Sequence, residues 1–188
     1  MTTWKKATGP LCFLALATAM QVSCGSGDDS SNGGGGVFIA TFSPAGSPVA
    51  NSISMQPNTA NGAAVVVNFD ATQMTDLYGA AYTITYSPAV LNFVGADDAG
   101  TFLATGGVTV LFNAALENGQ EGRLVVGISR AGQVSGVSGS GTLHNITFRG
   151  VAVGSTSLNF TSASAIDSNG TTIPGVTYSG GTVSVTGG

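Results

Sequence analysis

The chain has 188 residues, 43% of them hydrophobic and only 7% charged, with 29 glycines and a formal charge of −4. Disordered chains combine high charge with low hydrophobicity, so these proportions exclude one. A helical bundle is excluded as well, because the charged helix-formers Glu and Lys are nearly absent, whereas abundant Gly, Ser, Thr and Val favour strands joined by tight turns.

Residues 1–23 read as an export signal. Lys5 and Lys6 supply a positive start, and residues 11–20 (LCFLALATAM) form an apolar run that falls short of the ~20 residues needed to cross a bilayer. Gln21-Val22-Ser23-Cys24-Gly25 follows, with small residues ahead of a cysteine. This stretch resembles the lipobox of bacterial lipoproteins, with Gln21 where an aliphatic residue is usual. The resemblance implies that the Cys24 thiol receives diacylglycerol and that Cys24 becomes the new N-terminus; ordinary signal-peptidase cleavage nearby is the alternative. The other cysteine, Cys12, lies inside the signal core, so no disulfide is available to the mature domain. Acyl chains on Cys24 would hold the protein at a membrane, each buried methylene adding ~0.8 kcal/mol. Gly25 in place of Asp is similar to the outer-membrane sorting preference of diderm bacteria. The expected location is therefore the cell envelope after export, lipid-anchored at the outer membrane or cell surface.

Residues 24–36 read as a tether. After Cys24 the stretch GSGDDSSNGGGG has no bulky apolar side chain, and a flexible coil of that length spans roughly 20 Å. Asp28, Asp29 and Asn32 superficially suggest a calcium loop, but no chelating Glu follows at the required spacing.

Residues 37–188 read as one domain. Without Lys5 and Lys6, the mature chain sets Arg123, Arg130 and Arg149 against nine carboxylates, a formal charge of −6. Three arginines cannot make a nucleic-acid footprint, nor one for anionic lipid headgroups. Strands are expected at 37–42, 63–69, 79–86, 91–94, 108–113, 123–129, 143–148, 157–160 and 182–185. The turn signals Asn61-Gly62, Asn118-Gly119, Asn169-Gly170 and Gly180-Gly181 punctuate them. Many short strands so divided indicate an all-β sandwich or barrel. Alternation puts Tyr82, Ile84 and Tyr86 on one side of their strand and Gly79, Ala81, Thr83 and Thr85 on the other. It likewise puts Leu124, Val126 and Ile128 opposite Arg123, Val125, Gly127 and Ser129. The second faces are small or polar and are expected to be flat surfaces.

Catalytic patterns are missing. His144 is the only histidine, so a histidine metal cluster cannot form, and no serine sits in a G-x-S-x-G elbow. His144 is read as a strand residue with a local hydrogen bond, aligned with Ile146 and Phe148. Asp70, Asp76, Asp97, Asp98, Glu117, Glu121 and Asp167 fall in or beside turns and are read as exposed solubilising acids. Asp167-Ser168-Asn169-Gly170 imitates the start of an EF-hand, but Tyr178 stands where the bidentate Glu belongs, so a hairpin turn is expected. No catalytic residue, metal or cofactor is expected. The mature chain has no Trp, and Tyr78 and Tyr178 are the aromatic side chains expected nearest the surface; Tyr78 is a candidate carbohydrate contact.

The stretch Tyr82-Thr83-Ile84-Thr85-Tyr86-Ser87-Pro88-Ala89-Val90-Leu91-Asn92-Phe93-Val94 resembles one found in cohesin domains, with Ser87 where that family usually has Asp. GRLVVGIS (122–129), GSGTLHNITF (139–148) and DSNGTTIPGVTYSGGTVSV (167–185) resemble its later strands, in the family's order. The resemblance implies a nine-stranded jelly-roll β-sandwich that does no catalysis and holds a protein partner, dockerin-like, in an extracellular, polysaccharide-degrading assembly. It implies a partner face from the strand at 79–86 together with 123–129 and 143–148, carrying Gly79, Ala81, Thr83, Thr85, Arg123, Val125 and Ser129. Gly79 and Ala81 stand where dockerin-binding cohesins often have Asn and Asp. A polysaccharide-binding module and a structural envelope component are the alternative readings.

Overall fold

The computed structural model describes residues 37–98 and 102–188. The described residues form eleven strands: β1 (Phe38–Pro44), β2 (Ser52–Asn61), β3 (Ala64–Leu77), β4 (Gly79–Thr85), β5 (Leu91–Asp97), β6 (Val110–Leu116), β7 (Arg123–Arg130), β8 (Val137–Gly150), β9 (Gly154–Ile166), β10 (Thr177–Ser179) and β11 (Gly181–Gly187). They form a six-stranded sheet, ordered β1-β11-β9-β4-β7-β6, and a five-stranded sheet, ordered β10-β2-β3-β8-β5. Neighbours pair antiparallel except β10, which lies parallel to β2. The only helical element among the described residues is one 3-10 turn, Glu117–Gly119. The result is the expected all-β sandwich.

The core lies between the two sheets. Tyr82, Ile84, Leu124, Val126 and Ile128 bury their side chains from one sheet, and Ile53, Met55, Phe69, Ile146 and Phe148 from the other. The alternation read from β4 and β7 thus assigns the inner faces correctly. Burial of each large aliphatic or aromatic side chain stabilises by roughly 1.5–3 kcal/mol.

The nine expected strands all form, and β2 and β10 are additional. In β2, Pro57 interrupts the run, the register shifts between Pro57 and Ala60, and the buried Ser52 and Ser54 spoil the apolar alternation. β10 is three residues long and has no period of its own. β3 and β8 extend well beyond the expected 63–69 and 143–148. Their outer halves are joined through bulges around Gln73 and Asp76, both at positive φ, which break a period-two pattern.

The first and last strands are neighbours: Phe38 pairs with Gly187, and the Gly188 N–H donates to the Val37 carbonyl at 2.6 Å.

Candidate functional site

Four neighbouring strands, β6, β7, β4 and β9, present the outer face of the six-stranded sheet. Register places Asn113, Gly127, Ala81 and Ser164 in one row across it, and Leu111, Ser129, Gly79 and Ile166 in the next. The middle of both rows is therefore Gly, Ala and Ser, while the bulkier side chains stand on the flanking strands. A trough of about 390 Å³ results, with Gly79, Ala81, Gly127 and Ser129 beneath and Leu111 and Ile166 at its sides. Leu111 is 59% exposed, an uncovered aliphatic side chain at the rim.

The glycines act differently. A Cβ on Gly79 would come within 2.9 Å of the Ile128 carbonyl oxygen and of the Ser129 Cβ, so close strand packing requires glycine there. A Cβ on Gly127 would meet nothing within 4 Å. The trough is open at Gly127 because that residue lacks a side chain.

The other expected face residues lie on the same surface with unequal exposure. Ala81 and Arg123 are exposed, Val125 is 40% exposed, and Thr85 and Ser129 are half-buried. Thr83 is only 7% exposed, since Val125 and Thr161 pair with it on either side. Arg123 carries an ion pair with Glu117, whose carboxylate raises the guanidinium pKa through a direct hydrogen bond.

The strand expected at 143–148 does not contribute to this face. It belongs to β8, between β3 and β5 in the opposite sheet, with Leu143, His144, Ile146 and Phe148 buried. The β6 and β9 strands take its place. Their outward residues Leu111, Asn113, Ser164 and Ile166 were missed because which strands neighbour β4 and β7 is decided by long-range pairing, which local alternation does not encode. Cys24 lies outside the described residues.

His144 is fully buried and stacks on Phe69, their ring centroids 4.4 Å apart. Its Nε2 shares a hydrogen bond with the Tyr82 hydroxyl, and its Nδ1 has no partner. Burial pushes the imidazole pKa down to about 3 and holds the Tyr82 phenol well above its ordinary value. Tyr178, the other aromatic expected near the surface, is half-buried against Phe160; its hydroxyl is unpartnered and burial raises its pKa to about 12. Tyr82 and His144 thus form a neutral polar pair inside the core, with Tyr178 packed at its margin.

Several acids read as simply solvated are engaged instead. Glu121 accepts hydrogen bonds from the Tyr86 hydroxyl and, at 3.1 Å, from the Phe93 N–H. Asp70 accepts from the Thr142 hydroxyl at 2.7 Å. Asp76 accepts from the Gly136 N–H at 2.8 Å and from the Ser168 hydroxyl at 2.7 Å; the Ser168 hydrogen bond leads in lowering its pKa. Asp167 caps the expected turn by accepting from the Asn169 and Thr171 N–H groups at 2.9 and 2.8 Å. Among the described residues no group of three or more His, Cys, Asp or Glu is placed to hold a metal. Tyr78 is half-buried at the end of the sandwich, its hydroxyl donating to the Gly132 carbonyl at 2.6 Å.

The two sheets, in this strand order, make a jelly-roll β-sandwich. No protein-family model matches the sequence, and none of the curated proteins matches it. Solved structures do. The non-cellulosomal cohesin of the archaeon Archaeoglobus fulgidus is 20% identical with a TM-score of 0.52, over 76% of this chain and 88% of that one. The second type II cohesin module from the adaptor ScaA scaffoldin of Acetivibrio cellulolyticus is 15% identical with a TM-score of 0.58, over 70% and 87%. The sixth cohesin of scaffoldin B from the same organism, solved in complex with a dockerin, is 19% identical with a TM-score of 0.51, over 73% and 96%. The chain has the cohesin fold.

Proposed function

We propose that this protein is a non-catalytic binding module of cohesin type, lipid-anchored through Cys24 to the bacterial envelope and holding a dockerin-like protein on its β6-β7-β4-β9 face. The trough over Gly127 carries the reading. Small residues beneath and aliphatic side chains at the sides suit an apolar anchor from a partner, with polar Asn113 and Ser164 at the rim. Four strands about 4.8 Å apart set the outer two roughly 14 Å from each other. That width admits one α-helix with its side chains, roughly 10–12 Å across. Similarity in fold to cohesins solved with dockerins supports a protein partner. The setting that goes with it is an extracellular, polysaccharide-degrading assembly displayed at the outer membrane or cell surface.

The test is a pull-down from the source organism's envelope and secreted proteins, run with calcium and repeated with EDTA, using wild type and Gly127→Leu. Calcium-dependent capture of a dockerin-bearing protein by wild type, lost in the variant, is expected. Capture of no such protein in either condition, or equal capture by the variant, overturns the reading.

A further inference from the structure

We infer that the end of the sandwich beside Tyr78 is a binding site for a neutral saccharide. Three segments converge there: the β3–β4 junction at Tyr78, the 131–136 loop between β7 and β8, and residues 166–170 at and after the end of β9. They border an open cleft of about 430 Å³, lined chiefly by Tyr78, Gln133, Val134, Ser135, Ile166 and Ser168. That volume falls within the range of small-molecule sites, about 300–1,000 Å³.

The lining matches the chemistry of a sugar, which offers an apolar C–H face and a ring of uncharged hydroxyls. Tyr78, Val134 and Ile166 supply apolar surface. The Gln133 amide and the Ser135 hydroxyl, both on exposed residues, supply neutral donors and acceptors. The Ser168 hydroxyl gives its proton to Asp76 and so presents lone pairs to a sugar hydroxyl. Tyr78 is held in place before any ligand arrives: its N–H donates to the Ile166 carbonyl and its carbonyl accepts from Arg130, each at 2.9 Å, while its hydroxyl is tied to Gly132. Little ordering is left to offset on binding. No ionised side chain lines the cleft, and the nearby Asp76 disfavours an anionic sugar.

The site does not rest on the proposed protein partner, since its loops lie beyond the trough and only Ile166 borders both. Titration calorimetry of the purified protein with cellohexaose, xylohexaose, mannohexaose and pentagalacturonate tests it. At least one neutral oligosaccharide is expected to bind more tightly than the uronate. Tyr78→Ala is expected to weaken that binding about tenfold or more, and Gln133→Ala severalfold, while Gly127→Leu leaves it unchanged. Circular dichroism checks that Tyr78→Ala is folded; Gln133→Ala and Ser135→Ala alter exposed side chains and carry the test if it is not. Binding of none of the neutral oligosaccharides, a preference for the uronate, or affinity that survives both Gln133→Ala and Ser135→Ala overturns the inference.

Discussion

Tyr82 of β4 and His144 of β8 join the two sheets through a single hydrogen bond, hydroxyl to Nε2, in the most buried part of the core. The imidazole is the most deeply buried basic group among the described residues, 0% exposed against 6% for Arg130. Its pKa lies near 3 in the fold against 6.5 in an unstructured chain. Between those values the unfolded chain binds a proton that the folded one refuses, so stability is complete above pH 6.5 and declines as pH falls toward 3. The slope is about 1.4 kcal/mol per pH unit, or on the order of 2 kcal/mol lost between pH 6.5 and 5 from this group. Urea unfolding of wild type and His144→Phe at pH 7 and pH 5 measures it; the variant is expected to lose much less stability over that step. An equal loss in both would assign the acid sensitivity to carboxylates instead.

Removing the other half of the pair acts at neutral pH. Tyr82→Phe leaves Nε2 as a second unpartnered buried nitrogen beside Nδ1. A buried polar atom without a partner costs about 1–3 kcal/mol. The expected result is a lower urea midpoint at pH 7 with an unchanged m-value.

Gly79 and Gly127 separate stability from recognition. Gly79→Ala forces a methyl against the Ile128 carbonyl and Ser129, and overpacking of this kind costs typically 1–3 kcal/mol. Gly127→Leu enters open space, so its unfolding free energy is expected to stay within about 0.5 kcal/mol of wild type. Thermal melts of the two variants provide the comparison. A large loss in Gly127→Leu would mean that the trough is not open.

Asp76 ties two loops together, through the Gly136 N–H and the Ser168 hydroxyl. Its carboxyl pKa is lowered, so this contribution is present above the ordinary carboxylate range and lost as pH falls through the depressed value. Asp76→Ala is expected to speed amide exchange at Gly136 and Ser168, read by hydrogen–deuterium exchange, with strands β4 and β7 unaffected.

Lipid anchoring is a separate matter of chemistry at one atom. Cells grown with an alkyne-tagged fatty acid are expected to label the wild-type chain and not Cys24→Ser, and the variant is expected to leave the detergent-soluble membrane fraction. Labelling that persists in Cys24→Ser would place the acyl chains elsewhere, and a wild-type chain without label would exclude them.

The architecture was legible where side chains alternate without interruption. β4 and β7 announce their inner faces because Tyr82, Ile84, Leu124, Val126 and Ile128 recur at every second position. It was illegible in β2, where Pro57 and buried serines break the period, and in the outer half of β3, where Gln73 and Asp76 adopt positive φ. The candidate face was half legible for the same reason. Its β4 and β7 residues follow from alternation, whereas Leu111, Asn113, Ser164 and Ile166 join them only through pairings between segments far apart in the chain. The acids misled because hydrogen-bond partners such as Ser168 for Asp76 or Tyr86 for Glu121 lie dozens of residues away.

The pairing of Phe38 with Gly187 brings the two extremities of the sandwich side by side. A domain whose ends meet can be spliced into a host loop as a cassette, or re-opened elsewhere, without stretching the chain. Linking Gly188 to Val37 through a few glycines and cutting at the Asn169-Gly170 turn would yield a rearranged version with every strand pairing retained. The binding face, whose four strands are left uncut, would then be carried on either of two unrelated attachment points.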